Sequence, residues 1–375
     1  MKIGIDASRS RSGGAISHIK GILTELNPSK YQISEVHIWA PLSLLMDLDD
    51  REWLIKHSPK KINKNIFYQF FWQFFEFKKE LIKYECSILF KTTASSVANF
   101  SPSITLSQDM LPFELKEMKR YGWSLGRLRL IFLRFIYQQV LRHSSGVIFL
   151  TEYASKRIQE TTGKLENTIV IPHGVNNIFR QENYMRSNPL SLKKFNCVYV
   201  SAAAPYKHQW NVIEAISILR KKDINISITL IGGGSGRSQK KIDRAVNLFD
   251  QEKLFVKQLP FLKPDKVSAE IMRSDIFIFA SSCENLPITL LEGMSSGLAI
   301  ASSNYGPMPE VLQKGGTYFD PECPNSIAIG VELLVKDKNL RSKCIRASLS
   351  NSKFFSWNKC STETFNFLSS FSKKY

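Results

Sequence analysis

Residues 276–292 read IFIFASSCENLPITLLE. The first four are continuously apolar, too short for a buried helix and with no polar alternation. That is the pattern of a strand covered on both faces, as in a parallel sheet. The strand ends at Ala280 and a polar loop, Ser281 to Leu286, follows. Pro287 is expected at the first position of a helix whose apolar stripe is Ile288, Leu290, Leu291 and Met294. Strand, loop and amphipathic helix in this order form half of a crossover unit, which makes the rest of the chain worth reading for the same rhythm.

The rhythm runs in both directions. Upstream, residues 2–6, 36–40, 87–91, 104–107, 147–150 and 168–171 are short Val/Ile/Phe-rich runs, and after a break so are residues 197–201, 227–231, 255–259 and 298–302. Helical patterns lie between several of them, among them 210–222 and 237–250. An α/β fold with crossover connections is expected. The break follows Pro172-His173-Gly174-Val175, where residues 180–194 are polar and without periodicity, so two α/β halves are expected with the boundary at 175/176.

At 375 residues the chain is too long for one ordinary core, and 43% hydrophobic with 22% charged residues is ordinary for a globular protein. The unusual features are 51 Lys plus Arg against 33 Asp plus Glu, a net charge of +18, and 25 Phe. Such a chain suits an anionic partner: nucleic acid, a phosphorylated substrate or an anionic membrane surface. Six scattered Cys without Cys-x-x-Cys or Cys/His ligand spacing argue against a disulfide framework and a metal site. With no signal-like apolar stretch near the start and no run long enough to span a bilayer, a cytoplasmic chain is expected.

In open parallel sheets, ligands bind beyond the carboxyl ends of the strands. There Glu284 lies in the loop and Glu292 lies eight residues on in the helix, with the N–H groups around Asn285, Leu286 and Ile288 between them. A helix N-terminus favours a diphosphate, and flanking carboxylates accept hydroxyl protons of sugar and ribose. The alternative is a solvated loop Glu and a helix-surface Glu. Gly13 and Gly14 open a helix after the first strand, either as a phosphate-approach turn or as a flexible connection. Residues 231–236, IGGGSG, including Gly233, do not match the dinucleotide fingerprint and read only as a glycine-rich turn beside a ligand.

Together these residues resemble the retaining glycosyltransferases often called group 1 or family 4. Glu284 to Glu292 reproduces that family's E-x7-E spacing, and Gly13-Gly14, Pro172-His173-Gly174-Val175, Lys207, Ile231–Gly234 and Phe355-Ser356-Trp357 fall in the family's order. The resemblance covers nearly the whole chain and is clearest from 170 to 310. It implies a GT-B architecture: two Rossmann-like domains facing each other across a cleft, the first (1–175, with 356–375 packing back on it) for the acceptor, the second (176–355) for a nucleoside-diphosphate sugar. By resemblance, Lys207 pairs with the donor diphosphate, Glu292 with the ribose, Glu284 with the sugar hydroxyls, and the backbone of Asn285, Leu286 and Ile288 with phosphate. Gly13 and Gly14 let the first domain approach, and no cofactor or metal is expected. His173 is a further candidate donor contact. Two departures stand out. Ala202 occupies the place of a second phosphate-clamping Arg, and a loop His-Asp pair reads Gln108-Asp109. Asp109 then either orients the acceptor hydroxyl or caps a turn.

Residues 116–142 carry seven Lys or Arg among aromatics and aliphatics, and residues 66–77 read IFYQFFWQFFEF between lysines. Basic and aromatic together suit a protein lying on an anionic leaflet and taking a lipid-linked or glycan acceptor. No zinc spacing or RNA-binding motif supports nucleic-acid binding. The expectation is a hexose-transferring enzyme of bacterial polysaccharide or lipopolysaccharide assembly, at the inner membrane face. The alternatives are a nucleotide-sugar epimerase or hydrolase on the same fold, or a basic nucleic-acid-binding protein.

Overall fold

The computed structural model describes residues 1–11, 13–180 and 194–372; of the polar stretch read at 180–194, residues 181–193 lie outside the described residues. The chain forms two compact units. The first comprises Met1–Met118, Trp123–Gly174 and the segment from Ser356; the second comprises Lys119–Gly122 and Val175–Phe355.

The first unit is built on seven strands: β1 (Lys2–Asp6), β2 (Glu35–Trp39), β3 (Leu54–His57), β4 (Ile88–Lys91), β5 (Ser103–Leu106), β6 (Gly146–Phe149) and β7 (Thr168–Val170). They pair in the order β3-β2-β1-β4-β5-β6-β7 and every pair is parallel. The order follows burial. β4, β5 and β6 are buried at every residue and lie inside, whereas β3 and β7, mostly half-buried or exposed, form the edges. The chain winds outward in opposite directions from β1 and β4, so the loops leaving those two strands diverge and open a crevice at their carboxyl ends.

The helix Trp357–Ser372 packs on the helix Gly14–Thr24, and Ser361 Oγ donates to Ile22 O at 2.8 Å. Glycine is needed at two places in this contact. A Cβ on Gly21 would stand 2.2 Å from the Trp357 indole, and one on Gly174 would stand 2.2 Å from Trp357 N. No L side chain fits either gap without moving Trp357.

The second unit repeats the plan with six parallel strands: β8 (Phe195–Ala202), β9 (Ile226–Gly233), β10 (Val256–Leu259), β11 (Ile276–Phe279), β12 (Ala299–Ser303) and β13 (Thr317–Phe319). Their order is β10-β9-β8-β11-β12-β13, so the winding reverses between β8 and β11, where Ile276 and Phe277 pair with Cys197 and Val198.

Two strands had no counterpart in the sequence reading. β3 (LIKH) carries only one buried side chain, and β13 (TYF) is three residues long after Gly315-Gly316, so neither shows an apolar run. Pro287 is the residue before the helix Ile288–Ser295 rather than its first position: its ψ of 83° is not helical, and its carbonyl accepts from Leu290 and Leu291 N–H.

Candidate active site

In the second unit, the loops leaving β8 and β11 meet because the winding reverses between those strands. They are stitched together. Ser282 N–H donates to Tyr206 O at 2.9 Å, His208 Nε2 lies 2.9 Å from Ser282 Oγ, and Tyr199 OH donates to Lys207 O at 2.8 Å. His208 takes a left-handed φ of 48°, which ends the short turn Pro205–Lys207 and starts the helix Gln209–Arg220.

The consequence is that Lys207 and Glu284, 77 residues apart in the chain, form an ion pair whose side chains are 15% and 16% exposed. The Lys207 ammonium also lies 5.2 Å from the Tyr206 ring centroid and 5.7 Å from that of Phe279, both within cation–π reach. An ammonium and a carboxylate held against apolar walls are each other's counterion until a ligand supplies another.

Asn285 and Leu286 are buried beside Glu284. The helix that follows is entered with its first N–H groups, Ile288 and Thr289, ahead of the helical ladder. Glu292 lies on this helix. Among the described residues its carboxylate has no ion-pair or hydrogen-bond partner, and burial pushes its carboxyl up to about 8. A desolvated carboxylate with no partner among the described residues, on the helix that follows the ion-paired loop, is the kind of group that ligand sites collect.

Gly233 closes β9 beside this loop, with φ 57°, and its carbonyl accepts from Ala203 N–H at 2.7 Å. A Cβ on Gly232 would meet the Ser201 carbonyl oxygen at 2.6 Å. The glycine turn lets β9 end flush against the loop that carries Lys207.

The remaining predicted residues belong to the first unit. Gly13, at φ 58°, caps the helix Gly14–Thr24 and takes a conformation only glycine adopts without strain. Asp109 follows β5. Its carboxylate accepts from Tyr137 OH at 2.8 Å, and burial raises its carboxyl above the usual range. With Arg9, Arg11, Gln108, Arg129 and Tyr137, Asp109 lines a cavity of 310 Å³ at the crevice between β1 and β4. His173, read from the sequence as a donor contact, is 1% exposed and stacks on His18 at 4.5 Å with Trp357 at 5.6 Å; what the structure gives it is packing. Burial holds both imidazoles neutral, His18 down to about 3 and His173 well below its ordinary value.

The sequence reading missed Arg129 and Tyr137 as cavity residues. Their signal was the topology: the reversal of winding in the first sheet marks a crevice that no motif announces. Among the described residues no cluster of three or more His, Cys, Asp or Glu is placed to hold a metal ion.

Two doubly wound parallel sheets, the second with an ion pair and a helix N-terminus at its reversal point, define a protein of the GT-B class. Residues 180–350 match the family described as glycosyl transferases group 1. The O-antigen chain mannosyltransferase B of Escherichia coli is 22% identical over 169 residues, 45% of this chain and 44% of the relative. An uncharacterised glycosyltransferase of Methanocaldococcus jannaschii is 26% identical over 235 residues, 60% of each. The chain therefore spans about half of the length of the curated relatives it matches. In structure, an Anabaena protein crystallised with UDP and glucose superimposes with a TM-score of 0.72 at 16% identity, covering 99% of this chain and 100% of that one.

Proposed function

We propose that this chain transfers a hexose-type sugar from a nucleoside-diphosphate sugar to a glycan or lipid-linked acceptor, with retention at the anomeric carbon and without a metal ion. The observation that carries the reading is the Lys207–Glu284 ion pair at the reversal point of the second sheet, with Glu292 unpaired on the next helix. The donor's diphosphate takes Lys207 and the amides at Asn285, Leu286 and Ile288. Glu284, released from Lys207, turns to the sugar hydroxyls, and ionised Glu292 accepts from the ribose diol. As the bond from the sugar's anomeric carbon to the diphosphate oxygen breaks, Lys207 and the helix N-terminus stabilise the charge left on the nucleoside diphosphate.

The first unit (Met1–Met118, Trp123–Gly174 and the segment from Ser356) is assigned to the acceptor, and the second (Lys119–Gly122 and Val175–Phe355) to the donor. Asp109, in its ionised form, orients the acceptor hydroxyl and receives its proton, and burial, which raises its carboxyl, makes that carboxylate the stronger base. A nucleotide-sugar donor is supported by the UDP and glucose bound to the Anabaena protein, and polysaccharide or lipopolysaccharide assembly by the O-antigen relative. No described helix is long and apolar enough to cross a membrane. Exposed aromatics between lysines support a peripheral position on an anionic membrane at the cytoplasmic face.

The test is turnover of a panel of nucleoside-diphosphate sugars with a lipid-linked glycan extract, in EDTA, with the product anomer read by NMR. Transfer with retention supports the reading. Free sugar released at the same rate with and without acceptor assigns a hydrolase instead.

A further inference from the structure

The cavity at the crevice between β1 and β4 holds more positive charge than the fold needs. Arg9 and Arg11 leave the loop after β1, and Arg129 comes from the helix Leu125–Arg142. None of the three has an ion-pair partner among the described residues. Arg9 is kept in place by neutral groups: its guanidinium stacks 4.2 Å from the Phe70 ring centroid, one nitrogen lies 3.4 Å from Gln73 Oε1, and its buried Nε has no hydrogen-bond partner. Arg11 donates to Ile62 O at 2.7 Å. Asp109, the one carboxylate in the lining, is already engaged by Tyr137. Three guanidinium groups gathered in one partly enclosed space with a single lining carboxylate leave an excess of positive charge, which a ligand anion would relieve.

A second observation adds the ligand's other half. The two helical elements that wall this cavity turn aromatic side chains outward. Arg129, Leu133 and Tyr137 face the cavity, while Phe132 and Phe135 of the same helix are each 60% exposed. Ile66 and Gln69 line the other wall, and from their segment Phe67 is 79% exposed. Lys61 lies 5.1 Å from the Phe71 ring centroid and Lys64 lies 4.8 Å from that of Tyr68, so the apolar face carries its own cations. Anion seat and basic apolar face thus share the same two elements.

We infer that this cavity binds the phosphate of a lipid-linked acceptor, held by Arg9, Arg11 and Arg129, with the lipid chain lying along the exposed aromatic face beside it. The inference rests on the proposed acceptor role of the first unit and narrows the acceptor to a phosphorylated lipid carrier. An aqueous phosphosugar would satisfy the arginines and make no use of the aromatic face beside them.

The experiment is calorimetric titration of the full chain with farnesyl phosphate, farnesol and inorganic phosphate, each below its aggregation limit, with UDP titrated in parallel. Farnesyl phosphate is expected to bind at least about tenfold tighter than either fragment, because it joins a charge-assisted contact to apolar burial. R129A, at an exposed position where folding is retained, should weaken farnesyl phosphate about tenfold and leave UDP unchanged, whereas K207A should do the reverse. R9K, which keeps the charge and loses the fork, should weaken it also. Inorganic phosphate or farnesol binding as tightly as farnesyl phosphate overturns the inference, as does unchanged affinity in R129A. Failure of UDP to bind, with farnesyl phosphate binding intact, would count against the donor reading alone.

Discussion

Lys207 and Glu284 neutralise each other in the structure, so the two are coupled in stability and, on the proposed reading, in donor binding. Removing one leaves the other half-buried without a counterion, and removing both does not. K207A is therefore expected to lower Tm and to weaken nucleoside-diphosphate binding about 10- to 100-fold, from loss of one charge-assisted contact. The double variant K207M/E284Q should recover the Tm but not the binding. A double variant no more stable than K207A would show that the pair is not what holds the loops. Glu284→Gln alone should cut transfer at least about 100-fold while nucleotide still binds. Glu292 adds a pH dependence. Burial raises its carboxyl to about 8, so the folded chain holds that proton where the unfolded chain has lost it, and the residue's contribution to stability declines as pH rises from 4.5 toward 8. On the proposed role of Glu292, donor binding needs the ionised form and should move the opposite way. UDP affinity is expected to rise about tenfold between pH 6.5 and 8, and E292Q should show only the part due to the phosphate's own titration. The pair Glu284–Glu292 was legible from spacing, because loop and helix follow a strand in sequence. The partnership of Lys207 with Glu284 was not, since it depends on which strand lies next to β11.

The buried strands were readable because continuous Ile, Val and Phe runs have no other use in a short segment, and nine of the eleven expected strands agree with the structure's to within one residue at both ends. The edge strands β3 and β13 were not, for their sequences carry little burial. Elements also explain two glycines and two histidines that motif reading left without a clear role. Gly21 and Gly174 admit Trp357, so Gly21→Ala should lower stability by about 1–3 kcal/mol. The check is denaturant unfolding, and an unchanged midpoint would mean that Trp357 moves freely. The His18–His173 stack beneath Trp357 is neutral and buried. Both rings titrate well below the ordinary imidazole value, so stability present above pH 6.5 is lost as pH falls from there toward about 3. The variant H18L/H173L should show a flatter Tm profile between pH 6.5 and 5, and an equally steep profile would remove the stack as its cause.

Over the whole chain, the net charge of +18 and the aromatic runs pointed to an anionic surface, and the structure leaves many of those side chains exposed: Trp123 at 97%, Phe67 at 79% and Phe132 at 60%. Composition could count those residues but could not separate core from surface. Trp72 and Phe77, from the same aromatic run, are fully buried, so the run serves both. Flotation with vesicles containing 30% anionic lipid should carry the protein upward in low salt, and F67S/F132S should reduce that recovery several-fold with no change in UDP binding. Recovery unchanged by the double variant would place membrane contact elsewhere. The division into two α/β units was readable from the interruption after Val175, while the return of the final helix to the first unit came only from resemblance.

We propose that the reversal point of the second sheet is a nucleoside-diphosphate site that works without a metal. The most direct measurement is calorimetric titration of the wild-type chain and of K207A with UDP, GDP, ADP, CDP and dTDP in EDTA. The account predicts that at least one diphosphate binds the wild-type chain in EDTA and binds K207A about 10- to 100-fold more weakly. Binding that requires added divalent ion, or that is equal in the two proteins, would contradict it.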